Sequence, residues 1–371
     1  MQKKSSSFFV IDKKKLLENL NALKSKNICF MVKANAYGHG LLGICEILRG
    51  KVKFFGVATL EEALIVRKID MITPILVVGI SDFFDDELSV YNVIKKVIEK
   101  NISITIDNIK QLQMILLFLN KENKEREKAD KAAERLKLKI HIKINSGMNR
   151  LGINDLNEFK EILKIINGNK NLIFEGIYTH FATATSDIPY VNKQLKIFEK
   201  FLKCIPPIFN PLIHLGGGDI VDLPEFQKQK YENYMFRVGL KLYIYPNEIL
   251  NIKSRIVKIL NLPPNSRVGY SNGFICEQST KIAVIPLGYA DGINRKISSK
   301  GQVKINGRNH NIVGNVCMDM FFVDVTEVEC SIGDEVTVFN NSSKWAEICD
   351  TIAYEILTGM NYTRMRYIIK N

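Results

Sequence analysis

Between residues 28 and 239, short apolar runs alternate with longer helical segments, and this alternation restricts the fold more than any other property of the chain. The runs are Ile28–Lys33, Lys53–Ala58, Pro74–Gly79, Ile102–Ile106, Leu138–Ile144, Ile173–Thr179, Leu212–Leu215 and Tyr234–Val238. Between them lie stretches such as Tyr190–Lys203, where Val191, Leu195, Phe198 and Leu202 recur at helical spacing. Unbroken apolar runs are what parallel strands buried on both faces require. Eight such strands alternating with helices predict an α/β fold whose first domain, residues 1–239, is a (β/α)8 TIM-type barrel.

After residue 240 the pattern changes. Lys281–Pro286, Gln302–Ile305, Phe321–Val325 and Glu335–Phe339 are short runs with β-branched residues. Turn signals at Asn272-Gly273, Asn306-Gly307 and Gly333-Asp334 break the segment up. Residues 240–371 therefore read as a second, mostly β domain. With no repeat and no low-complexity linker, the two halves are expected to pack closely.

Composition excludes several classes. The 52 basic and 39 acidic residues leave a net charge of +13, but the bases are spread along the chain. The densest run, Lys121–Lys139, is interleaved with Glu122, Glu125, Glu127, Asp130 and Glu134. It reads as a solvated helix face or an insertion, not a nucleic-acid stripe. Seven scattered cysteines form no CxxC pair, which argues against a disulfide framework and a zinc site. The five histidines show no metal-ligand spacing, so no metal is expected. Phe8–Ile11 is too short for a signal peptide, and no run reaches the roughly 20 apolar residues of a membrane span. A cytoplasmic location is expected.

In such a barrel the reactive groups lie beyond the C-terminal ends of the strands. The unusual residues fall there. Lys33 ends the first run, within Phe30-Met-Val-Lys33-Ala-Asn-Ala-Tyr37-Gly-His-Gly40. Partial desolvation disfavours a lysine's ammonium form, and a neutral amine can form a Schiff base with an aldehyde cofactor. Arg150 follows the fifth run in Lys143-Ile-Asn-Ser-Gly-Met-Asn-Arg150, and His180 ends the sixth. His214 and Gly216-Gly217-Gly218 close the seventh; Arg237 and Gly239 close the eighth. Bare backbone N–H groups after the seventh strand suit a phosphate. Taken singly, each has a plainer role: a solvated lysine, a core histidine, a tight bend, a surface ion pair. The shared address favours the functional reading.

The Lys33 string is very similar to the signature around the pyridoxal-phosphate lysine of the alanine racemase family. Four further motifs resemble that family in the same order: Val268-Gly-Tyr270-Ser-Asn-Gly-Phe274, Pro286-Leu-Gly-Tyr289-Ala-Asp-Gly292, Gly314-Asn-Val-Cys-Met318-Asp319 and Asn361-Tyr362-Thr-Arg364. The similarity runs from about Ser7 to Arg366. It implies interconversion of L- and D-alanine by two bases, supplying D-alanine for peptidoglycan, in a homodimer with shared active sites. Lys33 would carry pyridoxal 5'-phosphate and act on one face of the substrate, and the partner's Tyr270 on the other. Tyr37, Gly218, Leu240 and Tyr362 would bind the phosphate, near Gly239. His180 would support the ring and Arg237 would meet its nitrogen. Arg150 and the Met318 backbone would hold the substrate carboxylate beside Asp319. Tyr289 and Tyr362 would narrow the entrance. Lys143 matches a lysine that is carbamylated in some members.

Two departures from the family pattern are visible. Gly218 stands where a serine hydroxyl is usual, removing one charge-assisted hydrogen bond of roughly 1.5–3 kcal/mol. Asn145 replaces the more usual acid. Two other enzyme readings share the architecture. A broader-specificity racemase, acting for instance on serine, would keep the same groups. A barrel-type amino-acid decarboxylase resembles the chain around Lys33, but it typically places an acid at the ring nitrogen, where this chain has Arg237. A non-catalytic carrier of the cofactor would have little use for Tyr270.

Overall fold

In a computed structural model the chain is described over residues 6–79, 87–130 and 134–371. These residues divide into two compact units. One contains Leu23–Ala34 and Ile44–Lys241; the other contains the stretch up to Ala22, Asn35–Gly43 and Leu242–Asn371.

The first strand, β1 (Phe8–Asp12), lies outside the barrel. Eight parallel strands then close on themselves: β2 (Ile28–Met31), β3 (Phe54–Val57), β4 (Ile75–Val77), β5 (Ile102–Ile106), β6 (Leu138–Lys143), β7 (Leu172–His180), β8 (Leu212–Gly216) and β9 (Met235–Val238). Each expected run coincides with one of them, β7 and β8 extending one residue or so beyond theirs, so the barrel reading holds. β2, β3, β4, β5 and β9 are buried at every position, which explains their continuous apolar character. The helix expected at Tyr190–Lys203 spans Ile188–Leu202. Asp187 caps its N-terminus by accepting from the Tyr190 N–H, and Pro189 fits its first turn.

The basic run Lys121–Lys139 enters a long helix, Ile109–Ala129, and ends in β6; its residues 131–133 lie outside the described residues. Asn108 caps that helix.

The other unit is built on a nine-stranded sheet. Its further strands are β10 (Leu250–Arg255), β11 (Lys258–Leu262), β12 (Arg267–Val268), β13 (Phe274–Ile275), β14 (Thr280–Ile285), β15 (Gln302–Ile305), β16 (Arg308–Val313), β17 (Phe321–Asp324), β18 (Glu335–Phe339) and β19 (Arg366–Lys370). The large sheet runs β11-β14-β17-β16-β15-β18-β10-β1-β19, and β12 and β13 form a separate hairpin. The four β runs expected after residue 240 are all present. Asn306 and Gly307, both with positive φ, form the two-residue turn between β15 and β16.

The division at residue 239 places β1 with the barrel. Its backbone pairs instead with β10 (antiparallel) and β19 (parallel), so the start of the chain is an interior strand of the second sheet, next to its edge. No local signal in Phe8–Asp12 distinguishes these two destinations.

Candidate active site

Lys33 follows the end of β2 and is half-buried. The backbone then runs through four consecutive residues with positive φ, from Ala34 to Tyr37 (φ 51 to 54). Such a left-handed turn is costly for non-glycine residues and persists only when its surroundings hold it. One restraint is Glu62. Its Oε1 accepts from the Ala34 N–H at 2.6 Å and its Oε2 from the Ala58 N–H at 2.7 Å. The sequence Thr59-Leu-Glu-Glu62 has the spacing of a capping box, and Thr59 does accept from the Glu62 N–H. The glutamate reaches past the cap, however, and ties the chain just beyond Lys33 to the end of β3.

Another restraint lies within the turn itself. His39 Nδ1 sits 3.0 Å from the Ala36 carbonyl oxygen and 2.8 Å from that of Tyr37. Two acceptors at one nitrogen require Nδ1 to carry the proton. Burial pushes His39 down to about 4, so the ring is neutral. Tyr37 is buried, its ring 5.2 Å from that of Tyr243 and 5.9 Å from that of Tyr354.

Around Lys33 the barrel gathers basic groups. Burial lowers the Lys33 pKa, as do Arg150 and Arg237, while Glu62 opposes them. Lys143 is held down to about 8 by burial, then by Arg237 and Arg150. His180 is pushed to about 3 by burial and by Arg237, Arg150, Lys143 and Lys33. Lys33, Lys143, Arg150, His180 and Arg237 thus act on one another, five residues singled out from the sequence. A concentration of positive charge at a barrel mouth favours an anionic ligand. Arg150 itself is exposed at the rim.

Arg237, on β9, is almost wholly buried. Its Nη1 donates to His214 Nδ1 at 2.9 Å and its Nη2 to the Thr179 carbonyl at 2.7 Å. His180 Nδ1 lies 3.4 Å from Nη2. The guanidinium carbon sits 4.3 Å from the Tyr178 ring centre, a cation–π contact. Gly216 leaves room for it. The glycine run continues into Gly217 (φ 142) and Gly218 (φ 56), and Gly218 is exposed, so its backbone is open to a ligand.

In the other unit Tyr270 stands at the tip of the β12–β13 hairpin loop and is 71% exposed. With Gly269, Cys317, Met318, Asp319, Met320 and Phe322 it lines a cleft of about 340 Å³. Three motifs interlock beside it. Tyr289 N–H donates to the Cys317 carbonyl and Ala290 N–H to that of Met318, each at 3.0 Å. Asn361 N–H donates to the Asp291 carbonyl and Asn361 Nδ2 to that of Ala290. Arg364 bridges Asp319 (2.5 Å) and Asp291 (3.4 Å). Tyr289 and Tyr362 are both partly exposed.

Glu62, the buried His141 and the partly exposed Glu175 carry no mark of a site role in the sequence, and Arg364 is visible there only as the end of a motif, without a role. The capping-box spacing was the one available signal for Glu62, and it pointed to a helix start.

A half-buried lysine whose pKa is lowered, at the C-terminal mouth of a parallel barrel, defines a class: barrel enzymes whose lysine can condense with a carbonyl group. Comparison with known proteins narrows the class. Residues 11–246 match the family described as alanine racemase, N-terminal domain, and residues 249–368 match alanine racemase, C-terminal domain. The chain belongs to the alanine racemase family. It is 32% identical to an alanine racemase of Helicobacter pylori (strain J99), across 96% of this chain and 97% of that protein. It is 33% identical to alanine racemase 2 of Caldanaerobacter subterraneus, across 88% and 82%. The structure of an alanine racemase from E. faecalis superposes with a TM-score of 0.83 at 25% identity, covering 98% of both chains. Among the described residues, no helix is long and apolar enough to cross a membrane.

Proposed function

We propose that this chain interconverts L-alanine and D-alanine with pyridoxal 5'-phosphate held at Lys33, supplying D-alanine for peptidoglycan. The observation that carries the reading is the pairing of a half-buried lysine of lowered pKa, just past β2, with an arginine of the neighbouring β9 locked in place by His214 and Thr179. The residues present fit the cofactor. Lys33 offers the amine, Arg237 a donor for the ring nitrogen, and Gly218 and Leu240 backbone groups for the phosphate, joined by Tyr37 and Tyr362. His180, uncharged, supports the ring. When bound, the pyridoxal ring withdraws electron density from the substrate Cα and makes its proton removable.

The chain's own groups then decide the outcome. Racemisation needs a proton taken from one face of Cα and returned to the other, and two bases on opposite faces do this most simply. Lys33 is one. The partner subunit's Tyr270 is the other, in a homodimer whose sites are shared; its exposure at the tip of a hairpin supports this role. A guanidinium keeps its protons at any working pH, so Arg237 leaves the ring nitrogen unprotonated and the electron sink moderate, favouring return of the proton over side reactions. Arg150 and the Met318 backbone hold the substrate carboxylate, with Asp319 fixed beside them by Arg364. Tyr289 and Tyr362 narrow the entrance. Lys143, much less basic than a free lysine, is suited to react as a neutral amine with carbon dioxide, forming an N–C bond and releasing one amine proton to solvent, and the carbamate would orient Arg150.

A chiral assay of the purified protein with L-alanine, L-serine and L-lysine tests the proposal. D-alanine should accumulate to an equal mixture with no carbon dioxide released. Faster conversion of L-serine would mark a broader racemase, and carbon dioxide from L-lysine a decarboxylase.

A further inference from the structure

The barrel interior holds a chain of polar side chains in place of an apolar filling. From Arg237 it runs to His214 (Nη1 to Nδ1, 2.9 Å), to His141 (Nε2 to Nδ1, 2.8 Å) and to Glu175 (Nε2 to Oε2, 3.0 Å). Ser103 Oγ donates to the same carboxylate oxygen, and Lys139 Nζ lies 3.5 Å from the other. Both imidazoles are completely buried. We propose that Glu175 is a positioning residue that fixes the proton on each histidine of this chain and so holds Arg237 in register at the barrel mouth.

The direction follows from what each end can do. A guanidinium only donates, so His214 Nδ1 must offer a lone pair to Arg237. The single proton of a neutral His214 then sits on Nε2 and must be accepted by His141 Nδ1. The proton of His141 is left on Nε2, facing Glu175. An ionised carboxylate only accepts. A donor-only group at one end and an acceptor-only group at the other therefore impose the same order on both rings. With the order reversed, a bare His141 Nε2 would face the carboxylate and a protonated His214 Nδ1 would face Arg237. A doubly protonated His141 would force the same clash at Arg237. Burial opposes that form, and both imidazoles are held below the ordinary histidine range.

The surroundings are shaped for this chain. Gly176 lies opposite His141 in the β6–β7 register, and a Cβ there would approach His141 Nδ1 to 2.3 Å. The Tyr178 ring lies stacked on His214 at 4.6 Å and also faces the Arg237 guanidinium. Its hydroxyl is committed elsewhere: Thr105 Oγ1 donates to the Val77 carbonyl, so Tyr178 must donate to Thr105. Among the described residues no carboxylate forms an ion pair with Arg237; the negative end of its network is Glu175, two imidazoles away.

The proton order stands on geometry alone, while its effect on turnover rests on the proposed role of Arg237 at the cofactor. The test reads the two separately. Histidine-selective 15N spectra of the purified holoenzyme should show His141 and His214 both neutral, with the proton on Nε2. Glu175→Leu should scramble the His214 tautomer and lower kcat by about tenfold or more, as loss of an outer partner of a functional histidine does, with KM for alanine moving less than about threefold. Glu175→Gln, whose carbonyl can still accept from His141, should restore both the spectrum and most of kcat. A proton on His214 Nδ1 in the wild type overturns the proposal, and this reading needs no variant to fold. So does a Glu175→Leu protein whose spectrum matches the wild type, whatever its kcat. A protein without racemase activity but with the stated tautomers would instead refute the proposed function alone.

Discussion

A Cβ placed on Gly216 would lie 2.4 Å from Nη2 of Arg237, so the last residue of β8 has no side chain because the arginine of β9 occupies that space. The same Cβ would sit 2.8 Å from the guanidinium carbon and 2.9 Å from His180 Nδ1. The glycine is a packing requirement of the site as much as part of a bend.

Gly216→Ala should therefore displace Arg237 while leaving the barrel intact. Overpacking of this kind costs about 1–3 kcal/mol. Thermal unfolding should show a modest loss of stability, and kcat with alanine should fall at least tenfold. Wild-type turnover in a folded variant would mean that the guanidinium can move without consequence.

Glu62 raises the Lys33 pKa against the combined pull of burial, Arg150 and Arg237. Removing its charge disfavours the ammonium form, so Glu62→Gln should lower the pKa further. In the cofactor-free protein, the pH profile for labelling Lys33 with an amine-selective reagent should move to lower pH. A shift in the opposite direction would show that loss of the Ala34 and Ala58 hydrogen bonds, and not charge, dominates the substitution.

Borohydride reduction followed by peptide mapping should place the cofactor adduct on Lys33. Tyr270→Phe should keep that adduct and lose racemisation by about 10²–10⁴-fold, the usual contribution of a general acid–base group. A loss below about tenfold would remove Tyr270 as the second base.

Shared sites predict complementation. Lys33→Ala and Tyr270→Phe chains, each nearly inactive alone, would form heterodimers in which one site carries both lesions and the other neither. Such a heterodimer should recover about half of wild-type activity, one site of two. Confirmed subunit exchange without recovery would place both bases in one chain.

The chain's periodicities and motifs were enough to read much of this. The eight barrel runs were visible because strands buried on both faces must be continuously apolar, and Asn306-Gly307 marked its hairpin because few other pairs tolerate two positive φ values. Lys33, Arg150, His180 and Arg237 were legible because a parallel barrel delivers strand ends to one mouth, so position along the chain becomes position in space. What the sequence could not show was pairing across long separations. β1 joins β10 and β19 through backbone hydrogen bonds that leave no trace in Phe8–Asp12. Glu62 carries the spacing of a helix cap, and only the fold sets the Ala34 N–H within its reach. Glu175 reads as an ordinary strand residue, yet the register of β6, β7 and β8 makes it the acceptor at the end of a buried chain to Arg237. Local pattern fixes which segments are buried, because burial depends on the residue itself; which buried polar groups meet depends on strand register, which only the closed barrel decides.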